Sequence, residues 1–350
     1  MKRNTFSPTP GILIRIGLLM AVIWAPLFVG AQSYDIFAAE APVKVRMEFD
    51  RKMVIKKKFK EDYHDAKFTY TLDDGTTNTE TIRIRARGEF RRKHCTFPPL
   101  TLNFKKAGKG ERLFSEVNKL KLVTHCKSGQ NYQNYLLKEY LVYKLYNQLT
   151  DVSFRVRLLE IDYINSRKAS DSLRQYGFLI ESVKELAARC DAFEIEAMKV
   201  HPNLTEQRQM NLIDIFQFMI GNTDYSVYRL HNIKLLKSND FRRERPLATP
   251  YDFDYSGMVN TYYAAPDPIL GIENVRQRIF WGYCQPEDLF DLNFALFQEK
   301  RAQLYAVIND FPLLDAREKR SMTGYLDSFY EILDLPASRQ RYIVKACRTP

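Results

Sequence analysis

The chain has no G-x-G-x-x-G segment, no G-x-S-x-G segment and no cysteines at zinc-ligand spacing. The first absence removes the usual glycine-rich nucleotide loop, the second the nucleophile elbow of an α/β-hydrolase, and the third a structural zinc site. Its histidines, His64, His94, His125, His201 and His231, are scattered, so a Ser or Cys nucleophile with His and Asp fits poorly. There is no internal repeat, low-complexity tract or Pro/Ser linker, and beyond the amino terminus no run is long and apolar enough to span a bilayer. Cysteine is sparse and odd in number. With five in the chain, at most two bridges form and one thiol is left over.

What is present begins with a targeting signal. Lys2 and Arg3 open a basic stretch that includes Arg15, an apolar run follows from Ile16 to Val29, and Val29-Gly30-Ala31 offers the small residues a signal peptidase reads. An uncleaved anchor is the competing reading; Pro26 and the short apolar length favour cleavage near Ala31, giving a secreted or periplasmic chain with no transmembrane segment. Losing Lys2, Arg3 and Arg15 lowers the formal charge from +11 to +8. Lys and Arg are interleaved with Asp and Glu, so nucleic acid is not an expected partner, and acidic substrates or an anionic surface suit better. In an exported chain Cys95 with Cys126 is the favoured bridge, because one precedes a strand and the other ends the next; Cys284 with Cys347 is the second, and burial as small apolar residues is the alternative.

About 320 mature residues support one large bilobal unit or two domains. Val43 to Phe59 alternates as a strand does, with Lys56-Lys57-Lys58-Phe59-Lys60 read as a solvated edge, and Lys67–Leu72 with Thr81–Arg87 reads as a hairpin around Asp73-Asp74-Gly75. Leu100–Phe104 and Leu120–Thr124 add strands. Leu137, Leu141, Leu145 and Leu149 then recur every fourth position, predicting a helix over Tyr132–Leu149, and strands Arg155–Ile164 and Tyr176–Glu181 follow. Beyond Glu181 the chain turns mainly helical. A helix over Leu204–Ile220 has Asn203 and Glu206 at capping-box spacing and stops at Gly221. The expectation is α+β: a sheet-rich amino-terminal lobe with one helix (32–181), then a helical lobe (182–350).

The segment with most chemistry runs Asn222-Thr223-Asp224, His231-Asn232-Ile233-Lys234-Leu235, and Pro250-Tyr251-Asp252-Phe253-Asp254-Tyr255-Ser256-Gly257. An acid, a downstream amide and a paired acid are what a phosphoryl-transfer site uses to orient a hydroxyl and hold Mg²⁺. Each piece alone has a plain reading: Asn222 and Asp224 as turn residues, D-x-D as a common pair that also serves glycosyltransferases. Arg83, Arg85 and Arg87 share a strand face, and Arg87 before Gly88 can fork onto phosphate, with a solvated basic strand as the alternative. Glu139, on the aromatic face of the predicted helix, needs a cation. Lys119 and Lys121 project from one face of the preceding strand and can supply it; otherwise Glu139 reaches water at an edge.

This order of motifs resembles the spore-coat-protein-H (CotH) kinase-like family of atypical kinases, as do Arg83-Ile84-Arg85-Ala86-Arg87-Gly88, Lys119-Leu120-Lys121-Leu122-Val123 and Tyr176-Gly177-Phe178-Leu179-Ile180-Glu181. The resemblance spans about residues 80 to 270. It implies a bilobal kinase-like fold using ATP and Mg²⁺ (or Mn²⁺), with Asp224 as base, Asn232, Asp252 and Asp254 at the metal, and Arg87, Lys119, Lys121, Glu139 and Glu181 toward the cofactor. Pro98-Pro99-Leu100-Thr101-Leu102 stands where the family often has a lysine-rich strand, which leaves the phosphate-binding lysine open. The implied function is phosphate transfer to a hydroxyl on a protein or envelope acceptor. A non-catalytic surface-binding module on the same fold and a metal-dependent glycosyltransferase are the alternatives.

Overall fold

A computed structural model describes residues 1–2, 35–71, 75–104, 118–197 and 199–349. The cleavage signal, together with Asp73 and Asp74 of the expected hairpin turn, lies outside the described residues. From Asp35 onward the chain forms one unit.

Strict in-out alternation builds its first half. In β1 (Val43–Phe49) Val43, Val45, Met47 and Phe49 point inward, and β2 (His64–Thr71) and β3 (Thr77–Ala86) pair with the same alternation as an antiparallel hairpin. With β4 (Leu100–Asn103), β5 (Lys119–Val123), β6 (Val156–Asn165) and β7 (Ser172–Ile180) the sheet closes into a seven-stranded barrel, in the order β1-β2-β3-β4-β5-β7-β6. A parallel pairing of β1 with β6, Val45 opposite Ile161, makes the closure and leaves no free sheet edge. Phe68, Tyr70, Leu102, Ile161 and Tyr163 fill the interior.

The long first strand expected up to Phe59 stops at Phe49. Asp50 accepts a hydrogen bond from the Met53 amide at 3.0 Å and starts α1 (Arg51–Lys56), so the lysine run lies at a helix end and not on an edge strand. A short α2 (Phe90–His94) follows β3, and α3 (Gln130–Asn147) starts two residues before the predicted helix. Leu137, Leu141 and Leu145 are buried as their spacing requires, but Leu136, Lys138, Glu139, Tyr140, Val142, Tyr143 and Tyr146 are buried too, because α3 packs on β6 and β7 and also on the helix Arg301–Asn309 of the carboxy-terminal region.

That region is mainly helical: α4 (Val183–Arg189), α5 (Gln207–Ile220), α6 (Glu287–Glu299), α7 (Arg301–Asn309) and α8 (Ala316–Asp334). It also carries a small sheet of β8 (Ala192–Ile195), β9 (Ile233–Ser238) and β10 (Leu247–Pro250), in the order β10-β9-β8. Glu206, not Asn203, caps α5, accepting from the Arg208 and Gln209 amides. Gly221 ends it with φ 65°, and a Cβ there would lie 2.0 Å from the Tyr325 hydroxyl, so glycine is needed for both backbone and space. Disulfides join Cys95 to Cys126 and Cys284 to Cys347, leaving Cys190 as the free thiol, in agreement with the expected pairing. Among the described residues no helix is long and apolar enough to cross a membrane.

Candidate functional site

Two backbone links bring the motif segments together. The Gly257 and Met258 amides donate to the Gly221 and Ile220 carbonyls (2.9 and 3.0 Å), and the Tyr251 amide donates to the Asn232 carbonyl at 3.0 Å. The loop leaving α5 and the Asp252–Gly257 segment are thereby held against one platform. Asp224 then sits in an Asx turn, its amide on Asn222 Oδ1 at 3.1 Å. His231 Nε2 meets its Oδ1 at 2.7 Å, and Asn232 Nδ2 donates to its carbonyl (2.8 Å) and Oδ2 (3.1 Å). The Asp224 side chain is 37% exposed, open enough to meet a substrate. The Asp224 carboxylate raises the His231 pKa against the pull of burial.

Asp252 has φ 65°, and its amide donates to the Tyr143 hydroxyl of α3 at 2.8 Å. Its carboxyl is pushed up by desolvation and by neighbouring Asp254, with Arg91 and Arg87 pulling it down. The D-x-D segment is therefore not extended, and its two carboxyls do not simply share one strand face. Asp254 is engaged elsewhere: Arg91 Nε donates to its Oδ2 at 2.9 Å and the Tyr263 hydroxyl at 2.6 Å.

Arg91 is the residue that sequence reasoning missed. It stands on α2, which the Cys95–Cys126 disulfide ties to the end of β5 and the ring of Phe90 packs against Tyr255 and Tyr263. From there its guanidinium also reaches Glu139 Oε2 at 2.6 Å. Glu139 thus has a cation as it needed, but an arginine from α2 in place of Lys119 or Lys121. Burial pushes the Glu139 carboxyl up against the pull of Arg91, and although burial opposes it, Glu139, Tyr263 and Asp254 hold the Arg91 pKa well above its ordinary value. The signal that could have found it was in view: Arg91 is four residues ahead of a cysteine expected to be bridged beside the helix of Glu139.

The remaining expectations divide. Arg87, just past β3, lines the same pocket, whereas Arg83 and Arg85 lie over the Tyr63 ring on the barrel exterior. Burial lowers the Arg87 pKa and Asp252 raises it. Lys121 lies 5.1 Å above the Tyr251 ring; burial, with Arg87 and Lys234 nearby, lowers its pKa to about 8. Neither Lys121 nor Lys119, which is exposed, is among the residues that line the pocket. The Glu181 side chain, fully buried, is used up by Arg155 (2.8 Å) and Arg189 (3.0 Å), so it does not reach the pocket, although its neighbour Ile180 does.

The pocket has a volume of about 470 Å³ and is lined by Asp224, Asn232, Asp252, Asp254, Glu139 and Arg87, with Arg91 added. With Glu89 and Lys93 also in the lining, five acids, two arginines, a lysine and one carboxamide converge there, a donor and acceptor set suited to an anion bound with a cation. Among the described residues no three His, Cys, Asp or Glu side chains form a ready-made metal cluster. No family model matches this chain, and neither does any curated protein.

Proposed function

We propose that the chain is an exported phosphotransferase of bilobal kinase-like plan, moving phosphate from Mg·ATP to a hydroxyl acceptor. The observation that carries this reading is that Asp224, Asn232 and Asp252, separated by up to a loop and two strands in the chain, line one cavity whose other wall is Arg87 and Arg91. Mg²⁺ is usually held by one or two carboxylates with substrate phosphate and water completing the shell, so a three-acid cage is not required. The residues fit that pattern: the Asp252 carboxylate, crowded by Asp254 and short of solvent, gains from a cation, and with Asn232 Nδ2 committed to Asp224, Oδ1 is its free ligand atom.

In this reading Asp252 and Asn232 would hold the metal, which when bound neutralises the donor phosphates. Arg87 and Arg91 contact phosphate oxygens; Glu139 and Asp254 are positioning residues that fix Arg91, the part the sequence had assigned to a lysine. Lys121 adds charge at the edge through Arg87 and Asp252. Asp224, oriented by His231 and Asn232, takes the acceptor proton as the acceptor oxygen bonds to the γ-phosphorus and the bond to the bridging oxygen breaks, releasing ADP. Protein or another envelope component stays the acceptor expected from sequence. The glycosyltransferase alternative needs Asp252 and Asp254 on one cation; Arg91 and Tyr263 both bind Asp254 Oδ2, leaving only Oδ1 for a metal, which favours the kinase-like reading.

One observation favours the binding-module reading. Arg91 already pairs with both Glu139 and Asp254, so part of the pocket's hydrogen bonding is satisfied internally. Thermal-shift titration of the full chain with ATP and Mg²⁺ or Mn²⁺ separates the two: a metal-dependent, saturable rise in melting temperature supports the transferase, and no response in folded protein supports the module.

A further inference from the structure

Tyr143 stands on α3 one helical turn after Glu139, and both residues line the arginine-walled pocket. Its side chain divides into two parts with different partners. The ring is packed, with the ring centroids of Phe253 and Phe178 at 4.7 and 5.7 Å from its own. The hydroxyl makes a single hydrogen bond among the described residues, accepting the Asp252 amide at 2.8 Å. That bond meets Asp252 where the chain leaves its sheet. β10 ends at Pro250, the Tyr251 amide makes the next link, to the Asn232 carbonyl at 3.0 Å, and Asp252 then turns to φ 65°.

A residue with a side chain keeps left-handed backbone only where its surroundings hold it there. Among the described residues no other group accepts the Asp252 amide, so without the hydroxyl a half-buried N–H loses its partner and the turn is free to relax toward extended backbone. The turn decides where the carboxyl points. Arg91 and Tyr263 fix the Asp254 carboxylate directly, whereas the Asp252 carboxylate makes no hydrogen bond or ion pair among the described residues and is aimed by its backbone alone. α3 thus sets both walls of the pocket: Glu139 holds Arg91 at 2.6 Å, and one turn later Tyr143 holds Asp252. Side chains that gather a ligand need supporting contacts of this kind, and losing one shows as lost metal affinity.

We propose that Tyr143 is a positioning residue for the divalent cation, its hydroxyl holding Asp252 in the turn that aims the carboxylate at the metal. This rests on the phosphotransferase reading. Tyr143→Phe removes the hydroxyl and keeps the packed ring. Tyr146→Phe, on the same helix, is the control: its hydroxyl is equally buried but accepts from Gln209 Nε2 at 2.9 Å, and Tyr146 does not line the pocket. Isothermal calorimetry on the full chain measures ATP affinity in EDTA and across a Mg²⁺ series. Tyr143→Phe should raise the Mg²⁺ concentration that gives half the gain in ATP affinity by about tenfold or more, while ATP affinity in EDTA stays within about twofold of wild type. Tyr146→Phe should leave both within about twofold, and Tyr143→Phe added to Asp252→Asn should shift the Mg²⁺ series no further than Asp252→Asn alone. An unchanged Mg²⁺ dependence in Tyr143→Phe, an equal loss of ATP affinity with and without metal, the same shift in Tyr146→Phe, or a further shift on top of Asp252→Asn overturns the proposal and leaves the transferase reading standing. Folded wild-type protein that binds no ATP with any divalent ion removes both.

Discussion

In the arginine-lined pocket the buried acids Glu139 and Asp254 share Arg91, whereas Asp214 of α5, buried beside a separate cavity that Tyr225, Trp281, Tyr283 and Arg348 also line, meets the Tyr225 hydroxyl, with Arg348 acting only from a distance. Both arrangements take carboxylates out of water, which is costly unless a partner compensates. The first compensates inside the protein, so its geometry is fixed before any ligand arrives. The second leaves the acid without a hydrogen-bonded cation, and burial raises its pKa. The difference teaches where rigidity is expected: the Arg91 cluster fixes its charges against one another, whereas Asp214 is accommodated by a raised pKa.

The comparison breaks most visibly at Arg91. Arg91→Met should destabilise the protein by roughly 3–5 kcal/mol, because two buried carboxylates lose their common cation; chemical denaturation measures it, and a loss below about 1 kcal/mol would mean that the acids are neutral or solvated. The disulfides sharpen it next. Cys95→Ser with Cys126→Ser, or Cys284→Ser with Cys347→Ser, should each cost about 2–4 kcal/mol. Only the first pair should weaken nucleotide binding, since only it anchors the helix of Arg91, and calorimetry on both double variants tests that separation.

Asp214 should respond in the opposite sense. Burial raises its pKa to about 7, so the folded state holds a proton that the unfolded chain releases near 4, and stability falls as pH rises between those values. Asp214→Asn, which can still accept from Tyr225, should be more stable than wild type by roughly 2–4 kcal/mol at pH 8 and nearly equal at pH 4. Melting curves at both values check it, and a variant less stable at pH 8 would contradict an unpaired ionised Asp214. His231 gives the smallest effect. Its pKa is raised by Asp224, so the pair contributes in full below about 6.5, the ordinary histidine value, and is lost as pH rises through the elevated one. His231→Ala should lack that small decline in a pH series of melting temperatures, and an identical profile would remove the pair.

Local chemistry was legible in the sequence, and long-range pairing was not. Leucines at every fourth position announced α3, Gly221 announced the end of α5, and Cys95 and Cys126 were matched because each borders a strand of the same sheet. Asp224, Asn232 and Asp252 could be grouped because they fall in order over a short stretch. Barrel closure was hidden, since β1 and β6 pair across more than half the barrel's sequence and each strand carries only its own alternation. Arg91 was hidden because a lysine two strands away satisfied the same requirement on paper. Glu181 misled for the reverse reason: its place in the chain fitted a cofactor role, while its partners Arg155 and Arg189 are invisible to spacing. Asp214 is one position within the predicted helix Leu204–Ile220, and Gly282, which packs on it, with Trp281 and Arg348, which line the same cavity, lie far downstream.

The central claim is that Asp224 and Asp252 share one pocket but act on different steps, and isothermal calorimetry of Mg·ATP with Asp252→Asn and Asp224→Asn, alongside a phosphate-transfer assay, tests it directly. Losing the metal carboxylate should weaken nucleotide binding by roughly a hundredfold or more, while losing the base should leave binding nearly intact and abolish transfer. Wild-type protein that is folded yet binds no nucleotide with any divalent ion, or two variants that weaken binding equally, would contradict it.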